Sequence, residues 1–170
     1  MEQMTSPLRR IDRAKKHLDV LNAEISSFLA SKPYRATIDR NVQERCYIVH
    51  PYLSRSYPTT WGLLIGEFAH QLRSALDNIA WSVAIRKDTH TSFPIFIKKN
   101  RDFVVRLEYL RDEVRSDVEA LQPYNAGQGQ ERGHPLWVLQ TINNIDKHRL
   151  ILPGTTRISV ATGLAHPKYA

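Results

Sequence analysis

Residues 135–150 read Pro-Leu-Trp-Val-Leu-Gln-Thr-Ile-Asn-Asn-Ile-Asp-Lys-His-Arg-Leu. At about 100° per residue, Leu136, Leu139 and Leu150 share one side with Asn143. Val138, Ile142 and Ile145 share a second side with Arg149, and Trp137 and Thr141 line up with Asn144 and His148. Apolar residues therefore occur nearly all around the helix, which places it centrally in a helical core, with Pro153 as its stop. Its end nevertheless collects Asn143, Asn144, Asp146, Lys147, His148 and Arg149.

A buried polar group left unpaired costs roughly 1–3 kcal/mol, and a charge costs more. The cluster at the end of the last helix therefore needs partners, and one other helix offers them. A helix over about 60–86 carries Leu64, Phe68, Leu72, Ala75, Ile79 and Val83 on one stripe. His70, Ser74, Asp77 and Trp81 fall on the other side, flanked by Glu67 and Arg73. A Trp on that line argues for a second contact surface. The expectation is that the tip of the last helix docks beside the middle of this one.

Such a docked cluster has two readings. In the first it is a site: His148 acts as general acid or base, and Arg149, Lys147 and Arg73 hold phosphate. His70 and Asp77 orient them, as metal-independent RNA cleavage would use. In the second the same groups, with Asn143, Asn144 and Asp146, form a polar network that locks two helices together. Asp146 and Arg149 are also spaced to pair with each other. No metal or other cofactor is expected. Glu67-x-x-His70 has the spacing of di-iron bundles, but its second copy, Glu131-x-x-His134, sits in a glycine-containing loop. That loop lacks the Gly-Lys-Ser/Thr ending of a phosphate loop. Cys46, the single cysteine, reads as a small core residue and excludes an internal disulfide or a cysteine-built zinc site.

Around these two helices the chain reads as one domain, 1–170, of mainly helical α+β class. Apolar steps of three and four from Leu8 to Leu29 describe a helix over 6–31, opened by Ser6-Pro7 and stopped before Pro33. Its outer face holds Arg9, Arg10, Arg13, Lys15, Lys16 and His17. Residues 34–38 and 45–49 form a β-hairpin turning at Asp39-Arg40-Asn41, with residues 156–162 as a third strand. Phe93-Pro94-Ile95-Phe96 is a short extended piece, buried by composition and broken by proline. One or two amphipathic helices follow over 99–121, giving a four- or five-helix core with a small antiparallel sheet.

The chain has 170 residues, 24 Lys+Arg, 17 Asp+Glu and a net charge of +7. The charge lies at the two ends: +4 over 1–60, zero over 61–130 and +3 over 131–170. That distribution fits RNA or another polyanion as partner. No apolar run approaches the ~20 residues of a spanning helix, and Met1–Arg10 carries no signal segment, so a cytoplasmic protein without membrane contact is expected. The amphipathic first helix points to a homodimer or larger assembly.

Two segments, Leu63–Asp77 (Leu-Leu-Ile-Gly-Glu-Phe-Ala-His-Gln-Leu-Arg-Ser-Ala-Leu-Asp) and Asn144–Arg149 (Asn-Ile-Asp-Lys-His-Arg), flank Phe93-Pro94-Ile95-Phe96. Together they resemble a group of bacterial proteins of uncharacterised activity over about residues 33–152. The helical core is similar to the HEPN superfamily. That resemblance implies a small helical bundle, often dimeric, of a kind that includes metal-independent RNases of toxin–antitoxin and phage-defence systems. The HEPN signature sets an Arg and a polar residue several positions before a His. Here His148 precedes Arg149, so the catalytic pair is not carried over.

Overall fold

The computed structural model describes residues 2–148 and residue 151. Among them are five α-helices and one two-stranded sheet: α1 (Glu2–Ala30), β1 (Tyr34–Asn41), β2 (Cys46–Leu53), α2 (Thr60–Ser82), α3 (Arg101–Glu108), α4 (Asp112–Ala120) and α5 (Pro135–His148). This is the mainly helical α+β class that the hydropathy pattern implies. The third strand expected over 156–162 and the last two residues of the helix expected over 135–150 lie outside the described residues.

Helices α1 and α2 run antiparallel, and a ladder of polar side chains fixes their register. From one end to the other, Asn78 donates to Ser6 (3.0 Å), Arg10 to Gln71 (3.3 Å), His17 Nδ1 meets Glu67 (3.0 Å) and Thr60 donates to Glu24 (2.8 Å). Ala14 and Leu21 lie between these rungs and Phe28 just beyond the last, and all three are buried. At the end of the pair that the hairpin joins, Phe28, Tyr57 and Trp61 pack together with ring centroids 5.2–5.5 Å apart. His17 and Arg10 are thus interface residues and leave the outer basic face. A helix has little room for a polar group between two apolar rows unless the partner helix supplies its hydrogen bond.

The hairpin is longer than its composition suggests, and its turn lies later. Asn41 Oδ1 accepts from Glu44 N (3.0 Å) and Arg45 takes a left-handed φ of 50°. The reversal is therefore Val42–Arg45 and not Asp39–Asn41, which pair in β1 with Ile48, Tyr47 and Cys46. Asn readily hydrogen-bonds the backbone just beyond it and so opens the turn. Pro51 is accommodated because the ribbon has only edges.

Helix α2 stops at Ser82 and does not reach residue 86. Val83 O accepts from Arg111 N (3.0 Å) and Ile85 N donates to Tyr109 O (2.9 Å). These bonds to a remote segment replace the next helical turn. The same exchange divides 99–121 into α3 and α4, with Leu110, 1% exposed, seated in the break. Asn100 caps α3 by accepting from Phe103 N (2.9 Å). Ala80, Phe93, Ile95, Leu110 and Val118 form the main core, and Leu76, Leu136 and Trp137 pack on it.

Phe103 is fully buried and stacks edge-on against Tyr124 (5.5 Å). Burial, helped by the Glu119 carboxylate, pushes the Tyr124 phenol up to about 12 from 10.0. The fold therefore favours the neutral phenol, and the resulting stability is complete below pH 10.0 and is lost as pH rises toward about 12. Thermal melts across that window should fall more steeply for the parent protein than for Tyr124→Phe; parallel curves would contradict this.

Candidate functional site

Helices α2 and α5 also run antiparallel, and two glycines set their approach. A Cβ placed on Gly66 would come within 2.0 Å of Asp146 Oδ1, and one on Gly62 within 1.9 Å of the Ile151 carbonyl oxygen. At Gly62 the opposing atom is a backbone oxygen, so any larger residue would push the chains apart; at Gly66 it is the end of the Asp146 side chain, which would have to turn away. The end of the last helix therefore does dock on α2, but on its first two turns and not at its middle. Running back along α5, the same register sets Asn143 level with Ala69 and His70. It also brings Gln140 and Trp137 to a cavity that they share with Arg73.

This register divides the predicted constellation. Asp146 and Trp137 are nine residues apart on α5, about 13 Å of helix. Arg73 and Asp77 thus sit near the start of α5, while Lys147 and His148 sit at its end. Arg73 Nη2 donates to Asp77 Oδ1 (2.8 Å) and to the Phe93 carbonyl (2.8 Å), and Phe93 N donates to the same Asp77 oxygen (3.0 Å). The pair clamps both backbone groups of Phe93. It does not orient a histidine. His70 is exposed, and its imidazole Nε2 has Ser74 Oγ at 3.5 Å. Asn143 is 3% exposed and its Oδ1 has no hydrogen-bond partner among the described residues. Asn144 and Lys147 are exposed. The side chain of His148, and Arg149 altogether, lie outside the described residues.

The clamp belongs to a larger arrangement that no periodicity signals. Phe93-Pro94-Ile95-Phe96 crosses the core without a strand neighbour, yet its backbone polar groups still need partners. Side chains supply them. Beyond Arg73 and Asp77, Gln122 Nε2 donates to Pro94 O (3.0 Å), its Oε1 accepts from Phe96 N (3.0 Å), and Gln140 Nε2 reaches Ile95 O (3.5 Å). Gln122 is fully buried and also donates to Val118 O (2.9 Å). The one hint in the sequence is Gln122 itself, an uncharged polar residue between Leu121 and Pro123 at the close of an amphipathic stretch.

Several other sequence expectations meet the structure here. Glu67 is engaged by His17, and among the described residues no group of three or more His, Cys, Asp or Glu could hold a metal ion. Cys46 is half-buried at the start of β2. Trp81 is 45% exposed, with Lys87 Nζ 5.7 Å from its ring. The basic face of α1 reduces to Arg9, Arg13, Lys15 and Lys16, all exposed. No helix among the described residues is long and apolar enough to cross a membrane. No family model, curated protein or solved structure matches the chain.

Proposed function

We propose that this protein is a nucleic-acid-associated interaction module of HEPN-like helical type, acting on RNA or a similar polyanion by binding and not by turnover. The observation that carries this reading is the engagement of Arg73 and Asp77 with the backbone of Phe93. Two of the residues a nuclease site would use for phosphate and for orienting a histidine are committed to structure. The exposed Arg9, Arg13, Lys15 and Lys16 of α1 are the phosphate-facing groups in this proposal. A second reading, a metal-independent RNase centred on His148, keeps one specific support: Asp146 lies against Gly66, one helical turn from the exposed His70.

Titration of labelled single-stranded RNA separates the two. Four phosphate contacts predict an affinity that falls about fiftyfold between roughly 50 and 200 mM salt. The RNA should stay intact, and Arg13→Glu with Lys16→Glu should weaken binding with an unchanged melting temperature. RNA cleavage that His148→Ala abolishes without loss of stability would overturn the binding reading in favour of the nuclease.

A further inference from the structure

Helices α1 and α5 each pack along α2, and a groove of about 480 Å3 opens between them. Every residue lining it is apolar, including Ile11 of α1, Phe68, Leu72 and Ile79 of α2, and Val138 and Ile142 of α5. No residue outside these three helices lines it among the described residues. Ile79 and Val138 are 36% and 40% exposed. At roughly 30 Å3 per molecule the groove would hold about sixteen waters, and its side chains offer them no hydrogen bond. A continuous apolar trough of this kind marks a place where another element docks.

The next piece of the chain is placed to supply that element. The Ile151 carbonyl oxygen lies against Gly62, so the chain leaves α5 beside the first turn of α2, before the groove begins at Phe68. Residues 152–170 follow in sequence and lie outside the described residues. They open with Pro153-Gly154, a turn-forming pair suited to reversing direction. Thr155 to Thr162 is rich in β-branched residues, which favour extended backbone. In that form Ile158, Val160 and Leu164 share one side, and Arg157, Ser159 and Gly163 the other. The lengths agree. From Gly62 to Leu72 is about 15 Å of helix, and from Gly154 to Ile158 is about 13 Å of extended chain. Phe68 to Ile79 is about 17 Å, and Ile158 to Leu164 is about 20 Å. A place beside the hairpin would suit the same alternation, but both hairpin strands are exposed along most of their length. There the row of Ile158, Val160 and Leu164 would stay in water, whereas the groove buries it.

We propose that residues 156–164 of this same chain occupy the groove in extended form, running antiparallel to α5. Ile158 sits against Phe68 and Ile142, and Val160 sits against Val138. The segment completes the three-helix layer from within the chain. The inference does not rest on the RNA-binding reading and concerns a different face of the molecule.

Two measurements on the full chain test it. Ile158→Asp with Val160→Asp should lower the melting temperature by roughly 6–12 °C, as expected for two aliphatic side chains that lose their burial. Disulfide trapping locates the segment independently of stability. In a Cys46→Ser background, Val138→Cys with Val160→Cys should close within one chain under mild oxidation, because a disulfide needs Cβ atoms about 4 Å apart. It should close far faster than Ile38→Cys with Val160→Cys, which reports a position beside the hairpin. Equal rates would mean a segment without a fixed place, and faster closure to residue 38 would mean a third strand; either result overturns the proposal. A bond from 138 to 160 that forms only between chains, with a dimer in sedimentation, overturns it in favour of a second copy in the groove. An unchanged melting temperature for the aspartate variant overturns it as well.

Discussion

Gln122→Leu is expected to cost roughly 3 kcal/mol, because each buried polar group left unsatisfied costs about 1–3 kcal/mol. The side chain is fully buried and makes three bonds, two of them to the Phe93–Phe96 segment. Leucine fills similar space but leaves Phe96 N and Pro94 O without partners and out of reach of water. For a chain of this size the melting temperature should fall by about 6–12 °C. Gln122→Glu refines the test. Its carboxyl can still accept from Phe96 N but donates to Pro94 O only when protonated. Burial raises the pKa of such a carboxyl, so this variant should be weakest near neutrality and recover partly on acidification. A Gln122→Leu protein that melts within a degree of the parent would show that the segment does not depend on these bonds.

Asp77→Ala should cost roughly 2–3 kcal/mol. Removing one partner of a buried ion pair costs about 3–5 kcal/mol, and the figure is reduced here because the Asp77 side chain is 35% exposed and partly screened. Arg73, 13% exposed, then keeps its charge without a counterion, and Phe93 N loses its acceptor. The melting temperature should fall by about 4–12 °C. The double variant Arg73→Met with Asp77→Leu should be destabilised about as much as Asp77→Ala, since the pair works as a unit and the Phe93 backbone is orphaned either way. Equal and additive losses from the two single variants would mean that the arginine and aspartate act independently. Neither variant is expected to separate binding from turnover, which is why the RNA experiment uses α1 and His148.

The helices were readable because each has an apolar row that must be buried, and the spacing of that row is local information. The same reasoning overextended α2 to residue 86. Apolar spacing continues through Val83, and nothing local reveals that Val83 and Ile85 bond to Arg111 and Tyr109. His17 reads as part of an outer face for a related reason. A histidine beside an apolar row reads as polar surface until a Glu67 on another helix stands 3.0 Å from it. In the candidate site, the polar tip of α5 did meet α2, but the level of contact depended on Gly62 and Gly66. A glycine in a helix reads as a weak point in propensity and becomes a docking position only when a partner arrives.

From the chain alone, then, come the helical class, the paired strands, the burial of Phe93-Pro94-Ile95-Phe96 and the meeting of α2 with α5. The first two follow from hydropathy repeating over neighbouring residues, the third from local composition, and the last from the cost of leaving a buried polar cluster without partners. Tertiary structure decided what the polar residues of those helices do. Arg73, Asp77 and Gln122 serve the backbone of a segment 16–28 residues away in sequence. Hydrogen bonds are short-ranged and directional, so their partners are set by which segments packing brings within about 3 Å, a relation that residue order does not encode locally.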